Sequence, residues 1–378
     1  MIYLDNAATT FPKPREVARA MARCMSEFAG NPGRSSHPVS AAAARAVYDT
    51  RCAVAEMFGA ESEENVVFTK NATEALCLAI FGLIGRGDHV ITTNFEHNSV
   101  RRPLCLLRDE KGVAVTVLDA RQGDDALVAA LDASINPNTR ALVCLHSSNV
   151  CTRVLPVRRL GEVCRRRGVL FILDAAQSAG IYDIDVKKDN VDVLCAPGHK
   201  GLFGPTGTGF CVFRDGFDFS RLSPLLFGGT GVDSISRGVG RTPPESYEAG
   251  TLNVPGIVGL GAGIKFVRER GTAAIREHEA TLARLCKDEL LSLGATVYGD
   301  FGDGAVVLFN LREKSGSEVA EALGDAGICV RAGMHCAPTA HDALGTGGDA
   351  VRVSFSPINT ERDVRGFIDA VNKIKNTL

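Results

Sequence analysis

The chain has 378 residues, is 45% hydrophobic and carries 40 glycines, enough to bury a large core over two or three domains. Its formal charge of −2 supplies no basic field, which argues against a nucleic-acid-binding module, and the longest apolar run, near Leu76–Ile84, is too short to cross a bilayer. No basic-then-apolar leader opens the sequence and the twelve cysteines are scattered, without Cys-x-x-Cys pairs or zinc-like clusters, so a cytoplasmic protein with reduced thiols and no metal site is expected.

Strand-like and helix-like patterns alternate from about residue 64 to residue 214. The strand-like runs are Asn65–Lys70, His89–Thr93, Val113–Leu118, Arg140–His146, Val169–Asp174, Val191–Cys195 and Gly209–Phe213. Such alternation predicts a mainly parallel sheet wrapped by helices, which binds ligands beyond the carboxyl ends of its strands. Asp174 and His199-Lys200 fall at such ends. Phe227–Pro255 is rich in Gly and Pro, shows no periodicity, and reads as a long functional surface loop. Helical patterns follow across Val254–Leu293, then a strand at Val306–Phe309, a helix opening near Ser317, a strand at Cys329–Arg331 and an alternating strand at Ala350–Phe355. A final helix is announced by the capping pattern Thr360-x-x-Asp363. This half reads as a separate α+β domain, joined by the first dozen residues.

The chemistry-bearing residues sit at these junctions. Lys200, in Ala196-Pro197-Gly198-His199-Lys200-Gly201, follows Asp174 by 26 residues. A lysine can hold pyridoxal phosphate as a Schiff base, while a carboxylate against the pyridine nitrogen keeps that ring protonated and able to absorb carbanion charge. Asn71-Ala72-Thr73-Glu74 opens an apolar helix, where free backbone N–H groups and a hydroxyl suit a phosphate. His97 could lay its imidazole over the pyridine ring, and Gln177 could donate to the phenolic oxygen. Arg352 lies on the alternating strand, and its planar fork suits a substrate carboxylate.

The blocks Tyr3-Leu4-Asp5-Asn6-Ala7-Ala8-Thr9-Thr10, Asn31-Pro32-Gly33-Arg34-Ser35-Ser36-His37, Asp174-Ala175-Ala176-Gln177, Gly198-His199-Lys200-Gly201 and Glu248-Ala249-Gly250-Thr251-Leu252-Asn253 follow one another in order. In this the chain resembles the class V aminotransferase family of fold type I pyridoxal phosphate enzymes, and within it the cysteine desulfurases and selenocysteine lyases. The resemblance implies an α/β fold of the fold type I aminotransferase kind. That fold has a mainly parallel seven-stranded sheet with helices on both faces, plus a smaller α+β C-terminal domain. The boundaries it suggests are 1–13 packing with the small domain, 14–255 for the cofactor-binding domain and 256–378 for the small domain.

By the same resemblance Lys200 is the Schiff-base lysine, Asp174 the pyridine-nitrogen partner, His97 the stacking ring and Gln177 the phenolate contact. Ala72, Thr73 and His199 hold the phosphate, and Gly250-Thr251 reaches the phosphate of a neighbouring subunit in a homodimer. Arg352 and Asn149 face the substrate, L-cysteine, with L-selenocysteine as the alternative. Cys336, in Val330-Arg331-Ala332-Gly333-Met334-His335-Cys336-Ala337-Pro338, would accept the sulfur as a persulfide for a thiol reductant or an acceptor protein. Its neighbour His335 is expected to lower the thiol pKa or to relay its proton. A thiol-independent C–S lyase or an aminotransferase is the further alternative. Two positions depart from the family pattern: Pro197 replaces a Ser or Thr that bonds the phosphate, and Met334 replaces a His in the cysteine loop.

Overall fold

Seven runs of apolar and β-branched residues meet in one sheet in the computed structural model, which describes residues 1–33, 36–230, 240–302 and 304–376. After β1 (Ile2–Tyr3), α1 (Arg15–Glu27) and α2 (Pro38–Phe58), the chain runs through β2 (Val66–Thr69), α3 (Ala72–Leu83), β3 (His89–Thr93), α4 (Asn98–Lys111) and β4 (Ala114–Leu118). It continues through α5 (Asp124–Ser134), β5 (Thr139–Leu145), α6 (Val157–Arg167), β6 (Leu170–Asp174), β7 (Val193–Pro197) and β8 (Gly209–Phe213). All seven strand-like runs are strands.

The sheet order is β2-β8-β7-β6-β5-β3-β4. Every pairing from β4 across to β7 is parallel, and β8 runs antiparallel to both of its neighbours. β3, β6, β7 and β8 are buried throughout, and the last three read as nearly unbroken apolar runs, as strands covered on both faces do. Successive side chains take opposite faces. Ile91, Leu142, Phe171 and Leu194 pack with residues of α2, α5, α6 and α7 (Val254–Arg270), whereas Val90, Val143, Ile172 and Val193 pack with those of α3 and α4. Each such side chain contributes roughly 1.5–3 kcal/mol of burial. The chain steps outward from β3 to β4 and returns to β5 on the other side of β3, opening a crevice at the strands' carboxyl ends.

The C-terminal part comprises α8 (Thr272–Ser292), β9 (Thr296–Tyr298), β10 (Val306–Asn310), α9 (Gly316–Asp325), β11 (Ile328–Cys329), β12 (Arg331–Gly333), α10 (Pro338–Leu344), β13 (Ala350–Ser354) and α11 (Glu361–Asn376). A four-stranded antiparallel sheet of order β12-β13-β10-β9 shares its core with α8, α9 and α11. The expected capping pattern forms: the Thr360 amide donates to Asp363 Oδ2 at 2.8 Å, and the Asp363 amide donates to Thr360 Oγ1 at 3.4 Å. β1 pairs with β11, and Asn6 Nδ2 donates to the Ser354 carbonyl at 3.0 Å.

Two expectations need correction. Cys329–Arg331 is not one strand: β11 pairs with β1 while β12 pairs with β13, so the chain changes sheets at Val330. Nor is the Gly- and Pro-rich stretch without an element, since a 3₁₀ turn forms at Glu245–Tyr247. It is pinned from both sides. Arg51 grips Glu248 through two bonds of 2.7 and 2.8 Å, and Tyr247 donates to the Phe219 carbonyl at 3.1 Å. Residues 231–239 of that stretch, and Arg34 and Ser35 of the Asn31–His37 block, lie outside the described residues. Among the described residues no helix is long and apolar enough to cross a membrane, and no group of three His, Cys, Asp or Glu could hold a metal ion.

Candidate active site

A cavity of about 230 Å³ lies over the crevice, walled on one side by the loops that follow β2, β3, β5, β6 and β7 and on the other by β12 and β13. Ala72, Thr73, His97, Asn149, Asp174, Gln177, His199, Lys200 and Arg352 all line it. Nine residues proposed from different stretches of sequence thus converge. Cys336, Gly250 and Thr251 are not in its lining, and the last two are exposed.

At one end Asn71 caps α3, its Oδ1 accepting the Glu74 amide at 2.9 Å. A Cβ on Gly209 would lie 2.5 Å from the Asn71 carbonyl carbon, so only glycine at the start of β8 lets this helix end close on the sheet. Thr73 Oγ1 then lies 3.2 Å from Ser99 Oγ, and His97 caps α4 by accepting the Ser99 amide on Nδ1 at 3.1 Å. A backbone N–H can only donate, so the proton of the neutral ring sits on Nε2. Burial, helped by the cation at Lys200, lowers His97 to about 4 and keeps it neutral.

Burial raises the pKa of Asp174, against the Ala176 amide that donates to its Oδ1 at 2.8 Å and against Lys200. A cationic ring nitrogen would restore its charge. Burial lowers Lys200 to about 8, with Arg352 and Arg331 adding to the shift and Asp174 and Asp5 opposing it. Gln177 donates one amide hydrogen to the Ala7 carbonyl at 2.9 Å and keeps a second. Pro197 ends β7 in the cavity wall, two residues beyond the expected end of that strand. The Lys200 loop is tied down by the N-terminal segment: Lys13 Nζ donates to the His199 carbonyl at 2.6 Å, and the Thr10 amide donates to it at 3.2 Å.

The opposite wall is built differently. Arg352 is 1% exposed; Nη2 donates to Asp5 Oδ1 at 2.5 Å and Nη1 to the Asn149 carbonyl at 3.1 Å. Beyond it lies the cysteine loop, where His335 and Cys336 adopt φ of 50° and 59°. Two consecutive non-glycine residues in the left-handed region cost about 1–2 kcal/mol each. Both carbonyls are captured in compensation: Asn149 Nδ2 donates to that of His335 at 2.7 Å, and the Asn98 amide to that of Cys336 at 2.8 Å. At about 1 kcal/mol per bond, these offset part of the strain. Arg331 Nη2 approaches Cys336 Sγ to 3.7 Å.

His335 does not do what the sequence suggested. Both of its ring nitrogens are engaged by other groups: Nε2 donates to the Arg331 carbonyl at 3.1 Å and Nδ1 meets His341 Nε2 at 3.1 Å. Arg331, not His335, is the cation beside the sulfur. Sequence reasoning also passed over Asp5, Lys13, Ser99 and His341. Asp5 lies inside a block already singled out, but its partner Arg352 is 347 residues away and nothing local marks the pair.

Pyridoxal phosphate suits these residues. His199 Nδ1, Asn149 Oδ1 and Arg352 Nε are buried without a hydrogen-bond partner among the described residues. A ligand carrying a phosphate, a cationic ring nitrogen and a carboxylate would match Ala72, Thr73 and His199, Asp174 and Arg352 in turn.

The family model for class-V aminotransferases matches residues 2–367. The chain belongs to that family. Within it, a probable cysteine desulfurase of Methanothermobacter thermautotrophicus is 36% identical over 99% of this chain and 94% of its own length. One of Pyrococcus abyssi is 33% identical over 100% and 95%. The apo cysteine desulfurase of Thermococcus onnurineus NA1 has a TM-score of 0.92 at 34% identity, covering 100% of this chain and 95% of that one. An Escherichia coli cysteine desulfurase in an S-sulfonic acid form has a TM-score of 0.88 at 29% identity, covering 98% and 94%.

Proposed function

We propose that this chain is a pyridoxal phosphate-dependent cysteine desulfurase that converts L-cysteine to L-alanine and takes the sulfur onto Cys336. The observation that carries the reading is the convergence of Lys200, Asp174 and His97 in one cavity whose far wall leads to a thiol. When bound, pyridoxal phosphate supplies an electron sink that weakens the substrate's Cα–H and Cβ–S bonds in turn.

The chain's own residues do the rest. Ala72, Thr73 and His199 hold the phosphate, and Asp174 keeps positive charge on the ring nitrogen. The neutral His97 ring offers a flat face, with Gln177's free amide hydrogen for the phenolic oxygen. Lys200, titrating near neutrality, carries the cofactor and then moves the Cα proton through Nζ. Arg352 binds the substrate carboxylate with its unpartnered Nε and remaining Nη hydrogens, while Asp5 fixes its orientation. Asn149 supplies its unpaired Oδ1 near the substrate. The Cys336 thiolate, beside Arg331, attacks the substrate sulfur. A new S–S bond forms as Cβ–S breaks, and the carbon takes the electron pair and a proton. The products are alanine and a Cys336 persulfide, which a thiol or an acceptor protein clears.

Gly250 and Thr251, exposed at the surface, would serve the phosphate of a second copy in a homodimer. The division at residues 13 and 255, and a cytoplasmic setting for the thiols, belong to the same proposal. Its test is incubation of the cofactor-loaded protein with L-cysteine and dithiothreitol, following alanine and sulfide. Equimolar release supports the reading; pyruvate, or amino transfer without sulfide, would replace it with a lyase or an aminotransferase.

A further inference from the structure

His335 and His341 are 2% and 1% exposed, and their rings stack 5.2 Å apart at 15°. Neither has a part in the reaction as written above. Their hydrogen bonds can be given a direction. The Arg331 carbonyl only accepts, so His335 Nε2 carries a proton and donates to it at 3.1 Å. Arg352 and Arg331 face His335, and burial with these cations lowers it to about 3, leaving Nδ1 bare. His341 Nε2 must therefore donate to that Nδ1 at 3.1 Å. Burial also lowers His341, against the nearby Asp342 and Asp349 and together with Arg352, so its Nδ1 is bare as well. Thr346 Oγ1 donates to it at 2.6 Å and itself accepts the Gly348 amide at 3.2 Å.

Thr346, His341 and His335 thus each donate one hydrogen bond and accept one, in a chain that starts at the Gly348 amide and ends at the Arg331 carbonyl. We propose that Thr346, His341 and His335 are positioning residues, a proton-ordered relay that holds the Cys336 loop in place for sulfur attack, and that neither imidazole is the base for the thiol. The relay ends on the residue whose guanidinium reaches Cys336 Sγ, and it braces β12 against α10 across the left-handed turn. With the Asn149 and Asn98 bonds to the loop carbonyls, the cysteine is held from three directions. The positions are fixed by direction as well as by distance. An apolar residue at 341 would strand an acceptor on His335 and a donor on Thr346 inside the protein.

The inference rests on the desulfurase reading for its purpose, but its test does not. The cofactor-loaded wild type, His341→Leu and His341→Gln are compared for cysteine turnover and for the rate at which iodoacetamide alkylates Cys336 at fixed pH. Glutamine places an amide nitrogen near Nε2 and restores the donor to His335. Leucine is expected to lower kcat about tenfold with KM nearly unchanged and to alter the alkylation rate, and glutamine to recover most of both. Wild-type values for the leucine variant, or a glutamine variant no better than it, would overturn the relay.

Should the leucine variant not fold, ¹⁵N spectra of histidine-labelled wild type decide the matter. Both rings are expected neutral at pH 7 and protonated on Nε2. An Nδ1–H tautomer at His335, or titration near neutrality, contradicts the proposal. If wild type makes no sulfide at all, the function fails, while alkylation and spectra still judge the relay.

Discussion

The two walls of the cavity are made by different physics. On the sheet side, Thr73, His97, Asp174, Gln177 and Lys200 each sit within a few residues of a strand end, and the buried ladder beneath fixes their separation. On the C-terminal side Arg352 rides a strand, but the thiol sits on a strained turn held by side chains distant in sequence. The first wall is rigid by construction and suits a group that must be gripped throughout the cycle. The second is fixed by individual hydrogen bonds, so single substitutions should loosen it without disturbing the cofactor.

The largest expected effect is on the sheet wall. Lys200→Ala should abolish turnover, a loss of at least about 1,000-fold, and borohydride should fix pyridoxal phosphate covalently to wild type but not to the variant. Covalent labelling of the variant, seen by intact mass, would mean that another amine carries the cofactor.

The walls should also respond to pH in opposite senses. Under the sheet wall, burial and the nearby Asp174 push Glu96 up to about 8, so its contribution to stability is complete below its ordinary pKa and is lost as pH rises through 8. In the other wall His335 is lowered to about 3, so its contribution is complete above about pH 6.5 and is lost as pH falls toward 3. At roughly 1.4 kcal/mol per pKa unit each limb is worth several kcal/mol. The two slopes cancel between the ordinary pKa values of 4.5 and 6.5, so melting temperature should be highest over that mildly acidic range and fall on either side, Glu96→Gln flattening the alkaline fall and His335→Gln the acid one. A profile on which both substitutions leave the limbs unchanged would contradict the assignment.

The seven strands were legible because each is a short run of apolar residues bounded by polar turns, and the sheet-wall residues because each closes such a run. Asp5 was not legible as Arg352's partner, since 347 residues separate them and a lone Asp in a turn has many bland uses. His341 was hidden for a related reason: a histidine on a short helix gains meaning only when the fold stacks it on His335. His335 was misread because adjacency in sequence suggested a contact that the left-handed turn directs elsewhere.

Smaller effects follow from single contacts. Breaking the Arg352–Asp5 pair, with side chains 1% and 19% exposed, should cost about 3 kcal/mol, whereas breaking the solvent-exposed Arg23–Glu27 pair should leave stability nearly unchanged. L-Alanine, which supplies a carboxylate, should raise the melting temperature of Asp5→Asn more than that of wild type; equal shifts would mean that Arg352 does not meet the substrate carboxylate. Pro197→Ser, which offers a hydroxyl in the cavity wall, should slow cofactor loss on dialysis about tenfold, the worth of one charge-assisted bond. Unchanged loss would show that the phosphate does not reach this residue.

The central claim is that the thiol beyond the second wall receives the sulfur released over the first. One turnover of cofactor-loaded protein with stoichiometric L-cysteine, without reductant, followed by mass spectrometry of the Cys336 peptide, tests it most directly. The account predicts one added sulfur atom on Cys336 and one alanine per active site, with cysteine turnover falling at least about 100-fold in Cys336→Ala while the cofactor stays bound. An unmodified Cys336 peptide beside full alanine release, or undiminished turnover in Cys336→Ala, would contradict it.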